Sequence, residues 1–235
     1  MRIDRLLLEN FKGFEKRELS FHPQFNLVVG ENGTGKTSVL EALAVAMGSW
    51  FLGLRGYDSR NIRPEDVLRR GFTTESALTW ETQFPCAVEA QGTLREEPLR
   101  WRRALNSANG RTTSVEARKI KALAEQMDRE VREGKPVLLP LLSYYGTGRL
   151  WNVPREQAQV RETKKLAPFQ GLSRLSGYRN SVDPRLSVAE MVAWVARQAW
   201  LTFQQGKETA AYQAVRRVLV RHVLDAKDVF FDAKI

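Results

Sequence analysis

The first thirty residues alternate between strand-like and turn-like patterns. Residues 2–10 predict a β-strand, Phe11-Lys12-Gly13-Phe14 predicts a turn, and residues 18–21 can return antiparallel to the first strand. Residues 25–29 form a short apolar run that ends at Gly30. Such a run is typical of a strand buried at the centre of a sheet. We therefore expect a hairpin followed by a central strand.

A helix and a β-rich section are predicted next. Residues 30–35 are glycine-rich, and the helix after them is indicated by apolar residues at roughly helical spacing: Leu40, Leu43, Met47 and Phe51. Between about residues 76 and 105 the chain turns to β character. There Leu99, Trp101 and Leu105 alternate with Arg100, Arg102 and Ala104. This alternation predicts a half-exposed strand with a basic outer face.

A second helix and a second buried strand follow. Thr113 and Glu116 have the spacing of a capping box, and the apolar stripe after them consists of Ile120, Leu123, Met127 and Val131. Residues 134–136, Gly-Lys-Pro, should end this helix. Residues 137–145 predict another buried strand.

The remaining residues divide into a poorly patterned segment and a helical one. Residues 146–185 lack periodicity and exceed the usual length of a connection, so we expect a basic loop or partly disordered segment. Helices are predicted from Ser187 to about Gly206 and over about 208–224, with the start of a strand at 229–231. The predicted organisation is thus a lobe of residues 1–145, a loop of 146–185 and a helical segment of 186–235.

Composition limits the classes of protein. The chain has 235 residues, of which 43% are hydrophobic and 27% charged, as in ordinary globular proteins. Its N-terminus lacks a secretory pattern, and the longest apolar region, residues 42–54, is too short to cross a bilayer. We expect a cytoplasmic protein without a membrane partner. A single cysteine, Cys86, and two histidines predict neither an internal disulfide nor a structural metal site.

The net charge of +10 leaves two interpretations open. Basic side chains that neutralise phosphates release counterions, so the charge favours a polyanionic partner such as nucleic acid. The same charge can belong to a solvated surface whose acidic complement lies elsewhere.

The strongest functional signal is GENGTGKT, residues 30–37. It fits the phosphate-binding-loop pattern G-x-x-x-x-G-K-[ST] and lies between a predicted strand and a predicted helix. Glycines allow backbone N–H groups to surround phosphate oxygens at the positive end of the helix dipole. Lys36 would reach the β- and γ-phosphates, and the Thr37 hydroxyl would hold Mg²⁺. The expected ligand is a nucleoside triphosphate with Mg²⁺.

Hydrolysis needs a further acid at the end of a second apolar strand. Two weak candidates, Asp225 and Asp232, follow apolar residues, but neither is followed by Glu. The sequence therefore predicts nucleotide binding and assigns no catalytic residue.

Residues 6–48 resemble the N-terminal lobe of ABC-type ATPase heads of the RecF and SMC kind. The NFKGF turn at 10–14, the phosphate loop and the spacing between them carry this resemblance. Two other stretches, GYDSRNIRPEDV at 56–67 and SYYGTGRLW at 143–151, are most similar to bacterial AAA family ATPases of the OLD and PtuA-like kind, many of which act in phage defence. The implied fold class is α/β, a P-loop NTPase with the N-terminal lobe of an ABC-type head, a mixed sheet, a β-rich insertion and C-terminal helices.

The resemblance also implies roles for individual residues. Two heads would sandwich ATP in a homodimer or higher oligomer, and the nucleotide contacts would be Gly30, Asn32, Gly33, Gly35, Lys36, Thr37, Ser38 and the hairpin residue Lys12. A solvated turn lysine is the alternative for Lys12. The strand that should supply a glutamine sensor carries Ser143-Tyr144-Tyr145 instead, so Tyr145 or Arg149 is a candidate replacement. Leu175-Ser176-Gly177-Tyr178 resembles the ABC signature only superficially and is interpreted as a turn.

By this resemblance the metal-binding acid, the signature motif and the catalytic glutamate should lie in a C-terminal half that these residues lack. Alone, the chain should bind ATP without efficient turnover. Three functions remain open: an ATPase head that works on DNA or controls an effector nuclease in anti-phage defence, a non-catalytic nucleotide-binding module that docks a partner, and a RecF-like DNA-repair clamp.

Overall fold

The fold is known from a computed structural model, which describes residues 1–73, 78–146, 173–178, 181–182, 188–222, 225 and 227–228. The chain forms two compact units, Met1–Arg185 and Leu186–Ile235. Within the described residues the first unit contains β1 (Arg2–Phe11), β2 (Phe14–Ser20), α1 (Lys36–Phe51), β3 (Arg69–Thr73), β4 (Leu78–Thr82), β5 (Cys86–Leu94), β6 (Glu97–Leu105) and α2 (Arg118–Arg132). The second contains α3 (Val188–Gln205) and α4 (Ala210–His222).

A four-stranded antiparallel sheet, in the order β2-β1-β5-β6, organises the first unit. Successive side chains of a strand point to opposite faces, so one face can be apolar and the other charged. The apolar face contributes Leu6, Leu8, Val88 and Trp101 to the core, all buried. The predicted hairpin and the predicted half-exposed strand at Leu99–Leu105 are confirmed.

The charged face of this sheet is largely self-neutralised. Arg100 Nε lies 2.6 Å from Glu89 Oε1 across the β5–β6 pair. Arg102 contacts both Glu9 and Glu116, at 3.1 and 3.2 Å. The predicted basic outer face therefore exists, but these arginines contact neighbouring carboxylates.

Helices α1 and α2 pack on the apolar face of the sheet. The indole N–H of Trp101 donates to the carbonyl of Ala46, at 3.0 Å, and fixes α1 against β6. The helix predicted after the loop is confirmed, although Leu40 is exposed and the buried stripe instead includes Val45 and Trp50.

The capping-box prediction for α2 is wrong. A short 3₁₀ turn, Val115–Ala117, precedes this helix, and neither it nor α2 has a side-chain cap. Thr113 Oγ1 instead accepts the N–H of Ala104, and Glu116 contacts Arg102. Both candidate cap residues thus serve contacts with β6.

The prediction of a central strand at residues 25–29 is also wrong. These residues form no strand and, within the described part of the chain, no backbone–backbone hydrogen bond. Phe25, Leu27 and Val29 are 73%, 73% and 76% exposed. A strand of this composition needs neighbours on its edges and both faces, and the described residues supply none of them.

The second predicted buried strand, residues 137–145, is covered on one side only. Leu142 and Tyr144 are buried, whereas Leu138 and Leu141 are 89% and 96% exposed. The segment forms no strand, although the N–H of Tyr144 donates to the carbonyl of Ser181. It is therefore an extended segment with an uncovered apolar side.

Two further elements lie outside the four-stranded sheet. Strands β3 and β4 form a separate two-stranded antiparallel ribbon, all of whose residues are exposed. In the second unit, the ring centroids of Trp194 on α3 and Tyr212 on α4 lie 6.4 Å apart.

No helix among the described residues has the length and apolarity needed to cross a membrane. The predicted strand start at 229–231 lies outside the described residues.

Cys86 provides a direct probe of this sheet. Its side chain is fully buried at the start of β5, and burial, together with the carboxylates of Asp66 and Glu9, raises the pKa of the Cys86 thiol from 9.0 to about 12. Since the thiolate is the nucleophile, we expect alkylation at about pH 8 to be about a thousandfold slower in the folded chain than in urea. Mass spectrometry of the alkylated chain measures this ratio.

The same shift sets a dependence of stability on pH. The folded thiol holds its proton at a higher pH than the unfolded thiol, so this contribution to the free energy of unfolding is complete below pH 9.0 and declines as the pH rises towards 12.

In the alkylation experiment, a Cys86→Ser variant is the control and should not be alkylated. Rapid alkylation without urea would contradict the buried position of Cys86.

Candidate nucleotide-binding site

The glycine-rich loop leads directly into α1, which begins at Lys36. Gly35 precedes the helix with φ +91°, and Gly33 has φ +87°, both in the left-handed region that favours glycine. A Cβ atom on Gly35 would also lie 2.5 Å from Cζ of Phe14, at the start of β2. Glycine is thus required at 35 by its conformation and by the close approach of the hairpin.

Four backbone N–H groups close together in sequence at the start of this helix have no hydrogen-bond acceptor among the described residues. The N–H groups of Gly33 and Gly35 donate no hydrogen bond within the described part of the chain. Those of Lys36 and Thr37 belong to the first helical turn, where N–H groups have no intrahelical acceptor. Together with the positive end of the helix dipole, these donors suit an anion.

The loop is also closed upon itself by side chains. Lys36 Nζ donates to the carbonyls of Gly30 and Glu31, at 2.7 and 2.6 Å. Thr34 Oγ1 donates to the same Glu31 carbonyl, at 2.9 Å. The ammonium group is therefore held at the loop by carbonyl dipoles, where it adds positive charge to the backbone donors.

The residues present fit a magnesium-bound nucleoside triphosphate. Backbone N–H groups and the Lys36 ammonium offer donors to phosphate oxygens, and Thr37, which is exposed, offers a hydroxyl to Mg²⁺. Asn32 is exposed in the loop, and Ser38 is half-buried in the first turn of α1. The predicted contact residues from 30 to 38 therefore all lie in the loop or in the first turn of α1.

Lys12 is held by two carboxylates. Its Nζ lies 3.0 Å from Glu41 Oε2 on α1 and 2.9 Å from Asp66 Oδ1. Burial opposes its charge, but the hydrogen bonds to Asp66 and Glu41 raise the pKa of Lys12. Glu41 lies one helical turn beyond Thr37, so Lys12 links the hairpin turn to the helix of the phosphate loop.

Asp66 is the centre of this contact network. Its side chain is fully buried, and Oδ2 accepts the N–H of Arg63 at 2.9 Å and lies 3.5 Å from Arg60 Nη2. Arg60 is itself buried, and its Nε and Nη1 have no partner among the described residues. Both nitrogens are hydrogen-bond donors, and both are buried without an acceptor in that part of the chain.

Arg103 fixes the segment that carries Arg60. It is buried on β6 and donates to Ser59 Oγ at 3.0 Å, Asn61 Oδ1 at 2.7 Å and the carbonyl of Thr113 at 2.6 Å. Burial lowers the pKa of Arg103 to about 10. Because it holds the residues on both sides of Arg60, Arg103 positions that side chain.

Sequence reasoning missed Glu41, Arg60, Asp66 and Arg103 as a group. Each is polar at a position that local periodicity leaves unremarkable, and each finds its partner through tertiary contact. The sequence signal that could have indicated one of them is Pro-Glu-Asp at 64–66, because Pro followed by acidic residues is typical of the start of a helix, and the structure has a 3₁₀ turn there.

The other predicted candidates have mixed placements. Tyr145 is 64% exposed, and Asp225 lies in an exposed turn of the second unit with φ +59°. Arg174–Tyr178 forms a 3₁₀ turn with Leu175 and Tyr178 buried. Arg149 and Asp232 lie outside the described residues. Within the part of the chain that the structure describes, no group of three or more His, Cys, Asp or Glu could hold a metal ion.

Comparison with known proteins gives matches over different parts of the chain. A family model described as an AAA domain matches residues 5–193. The DNA replication and repair proteins RecF of Salmonella typhi and of Salmonella newport (strain SL254) are each 42% identical over 69 residues, which is 29% of this chain. The matched region spans 17% of the length of these relatives.

One solved structure comes from work on ATP-driven dimerization and DNA-stimulated activation of SMC ATPases. It aligns with 70% of this chain and 100% of its own, with 19% identity and a TM-score of 0.37. That score is too low to define shared geometry.

Replacing Lys12 distinguishes a structural contact from a nucleotide contact. Lys12→Met removes the cation from buried Asp66, so we expect the free energy of unfolding to fall by about 1–3 kcal/mol. The matched control is Lys16→Met, at an exposed position of β2, which should change stability little. Urea unfolding and ATP titration measure the two effects. Unchanged stability with weakened ATP binding would contradict the structural role.

Proposed function

This chain belongs to the AAA domain family, and we propose that it is the ATP-binding part of an ABC-type ATPase head of the RecF and SMC kind. The observation that carries the proposal is the glycine-rich loop at the start of α1, with its backbone donors and the Lys36 ammonium. The hairpin turn packed against Gly35 supports the same assignment. The fold class, an α/β P-loop NTPase, agrees with the sheet and helices of the first unit.

In this proposal each loop residue has a defined task. Gly30, Gly33 and Gly35 bring the backbone close to the phosphates, Lys36 exchanges its carbonyl partners for phosphate oxygens, and Thr37 binds Mg²⁺. Asn32 and Ser38 complete the polar surroundings. Lys12 can approach the nucleotide only by releasing Glu41 or Asp66. Hydrolysis of the bound ATP supplies the free energy that such heads convert into movement.

We further propose that the water-activating acid and the signature motif come from outside the described residues. Among those residues no apolar strand ends in a carboxylate beside the phosphate loop. A further part of a longer chain, or a second chain, would supply them. The uncovered apolar residues of 25–29 and 137–145 support this view, because a complete sheet would bury them.

The working assembly in this proposal is a pair of heads with ATP between them, acting on DNA. The similarity to RecF proteins, whose name refers to DNA replication and repair, supports a DNA substrate. The stretches at 56–67 and 143–151 support the narrower assignment to OLD and PtuA-like ATPases, with control of an effector nuclease in anti-phage defence.

A second candidate is a module that binds ATP and docks a partner without catalysis. It is favoured by the same observation, that among the described residues no apolar strand ends in a carboxylate beside the loop. The two candidates differ in whether ATP is turned over once the remaining parts of a head are present. A RecF-like clamp would differ from the defence role by lacking a nuclease partner.

Lys36→Ala tests the nucleotide site. Loss of the ammonium should weaken binding of ATP with Mg²⁺ by about 10- to 100-fold, about 1.4–2.7 kcal/mol. The control is Lys119→Ala, at an exposed position of α2, which should bind ATP as the parent chain does. Isothermal titration calorimetry measures the affinities. If the parent chain fails to bind ATP, the assignment of this loop is wrong.

Turnover by the same three proteins tests where the catalytic acid lies. We expect phosphate release near background for all of them, because in this proposal a further part of a longer chain, or a second chain, supplies the group that activates water. Steady hydrolysis that Lys36→Ala abolishes would contradict the outside origin of the acid and would leave the ATP site intact.

A further inference from the structure

The helical unit Leu186–Ile235 contains an open cleft of about 620 Å³ at the C-terminal part of α4. Four basic and two acidic side chains contribute to its lining. Its polar lining includes Gln213, Arg216, Arg217, Arg221, Lys227 and Asp228. No step proposed for the phosphate loop uses these residues.

Arg216 builds one side of this cleft and engages both of its acids. It contacts Glu208, its Nη2 lies 2.6 Å from Asp228 Oδ1, and its guanidinium lies 5.8 Å from the ring centroid of Tyr212. Asp225 adopts a left-handed conformation just after α4. The contact between Arg216 and Asp228 holds Asp228 beside the helix.

The other three cations of the cleft have a different environment. Arg217, Arg221 and Lys227 are exposed, and none forms an ion pair within the described part of the chain. Arg217 Nε donates a long hydrogen bond, 3.4 Å, to the carbonyl of Gln213. The cleft therefore offers three exposed cations while its acids are occupied by Arg216.

The spacing of these cations suits an extended anion. Gln213, Arg217 and Arg221 recur every four residues, so they form a stripe with a rise of about 6 Å per step along one face of α4. Lys227 extends the positive charge beyond the helix. A compact anion would favour donors that converge on one point, whereas donors strung along an open cleft suit successive phosphates of a polymer.

We propose that this cleft binds the sugar–phosphate backbone of a nucleic acid, with Arg217, Arg221 and Lys227 as the phosphate contacts. Naming DNA as the polymer rests on the proposed function, but the contact itself is argued from the cleft. Backbone contacts position a nucleic acid without reading its sequence. The net charge of +10 on the chain favours the same kind of partner.

The test measures binding of the chain to a fluorescent single strand and a fluorescent duplex of DNA over a series of salt concentrations. The site variant is Arg217→Gln with Arg221→Gln. The matched control removes the same charge at exposed positions elsewhere, Lys119→Gln with Lys207→Gln. Circular dichroism confirms that each variant keeps its helices, which the exposed positions of all four side chains favour.

Salt dependence gives the expected size of the effect. Each phosphate contact contributes about 0.7 to the slope of log K against log salt for a single strand and about 0.9 for a duplex. Loss of two contacts should therefore reduce the slope by about 1.4 or 1.8. We expect the site variant to bind at least about tenfold more weakly at low salt and the control to bind nearly as the parent does.

Three results would overturn the proposal. The parent chain could fail to bind DNA at low salt, or the control could lose as much affinity as the site variant, which would reflect net charge alone. The site variant could also keep its DNA binding while losing binding to polyglutamate, which would assign the cleft to an acidic polypeptide.

Lys36→Ala separates this proposal from the nucleotide site. Lys36→Ala should weaken ATP binding and leave DNA binding unchanged, whereas the site variant should weaken DNA binding and leave ATP binding unchanged. Failure of one measurement therefore leaves the other interpretable.

Discussion

The arrangement of the first unit depends on neutralising one fully buried carboxylate, that of Asp66. A buried charge is costly unless it is paired and hydrogen-bonded. Here the ammonium of Lys12, the N–H of Arg63 and the guanidinium of Arg60 share that task. Since these groups come from the hairpin turn and from the segment before β3, Asp66 joins parts of the chain that are more than fifty residues apart.

Two contacts connect the surroundings of Asp66 with the phosphate loop and α1. Lys12 also pairs with Glu41 on α1, and Phe14, two residues after Lys12, packs against Gly35. The hairpin turn is therefore fixed both to the loop and to the helix behind it. A change at the loop that moves α1 must also change the surroundings of Lys12, which gives the proposed nucleotide site a physical connection to the sheet.

The sequence predicted the elements that bury one apolar face and expose the other. The hairpin, α1, β6 and α2 each have a periodic apolar side. The glycine spacing of 30–35 was sufficient to place a loop at the start of α1, and the binding of phosphate by this loop stays a prediction. Residues 25–29 and 137–145 were predicted as buried strands because their apolar runs imply cover on both faces. Their cover must come from layers that local patterning does not contain, and the described residues do not provide it. Arg60, Asp66 and Arg103 escaped prediction for a related reason: their partners are distant in sequence.

The uncovered segment at residues 25–29 has a consequence for how the protein is made. An extended apolar segment with free backbone donors and acceptors can pair with any compatible strand, including the same segment of another copy. Correct pairing and self-association therefore compete during synthesis, and their relative rates decide the outcome. The yield of folded protein should therefore depend on how soon after synthesis a strand pairs with this segment.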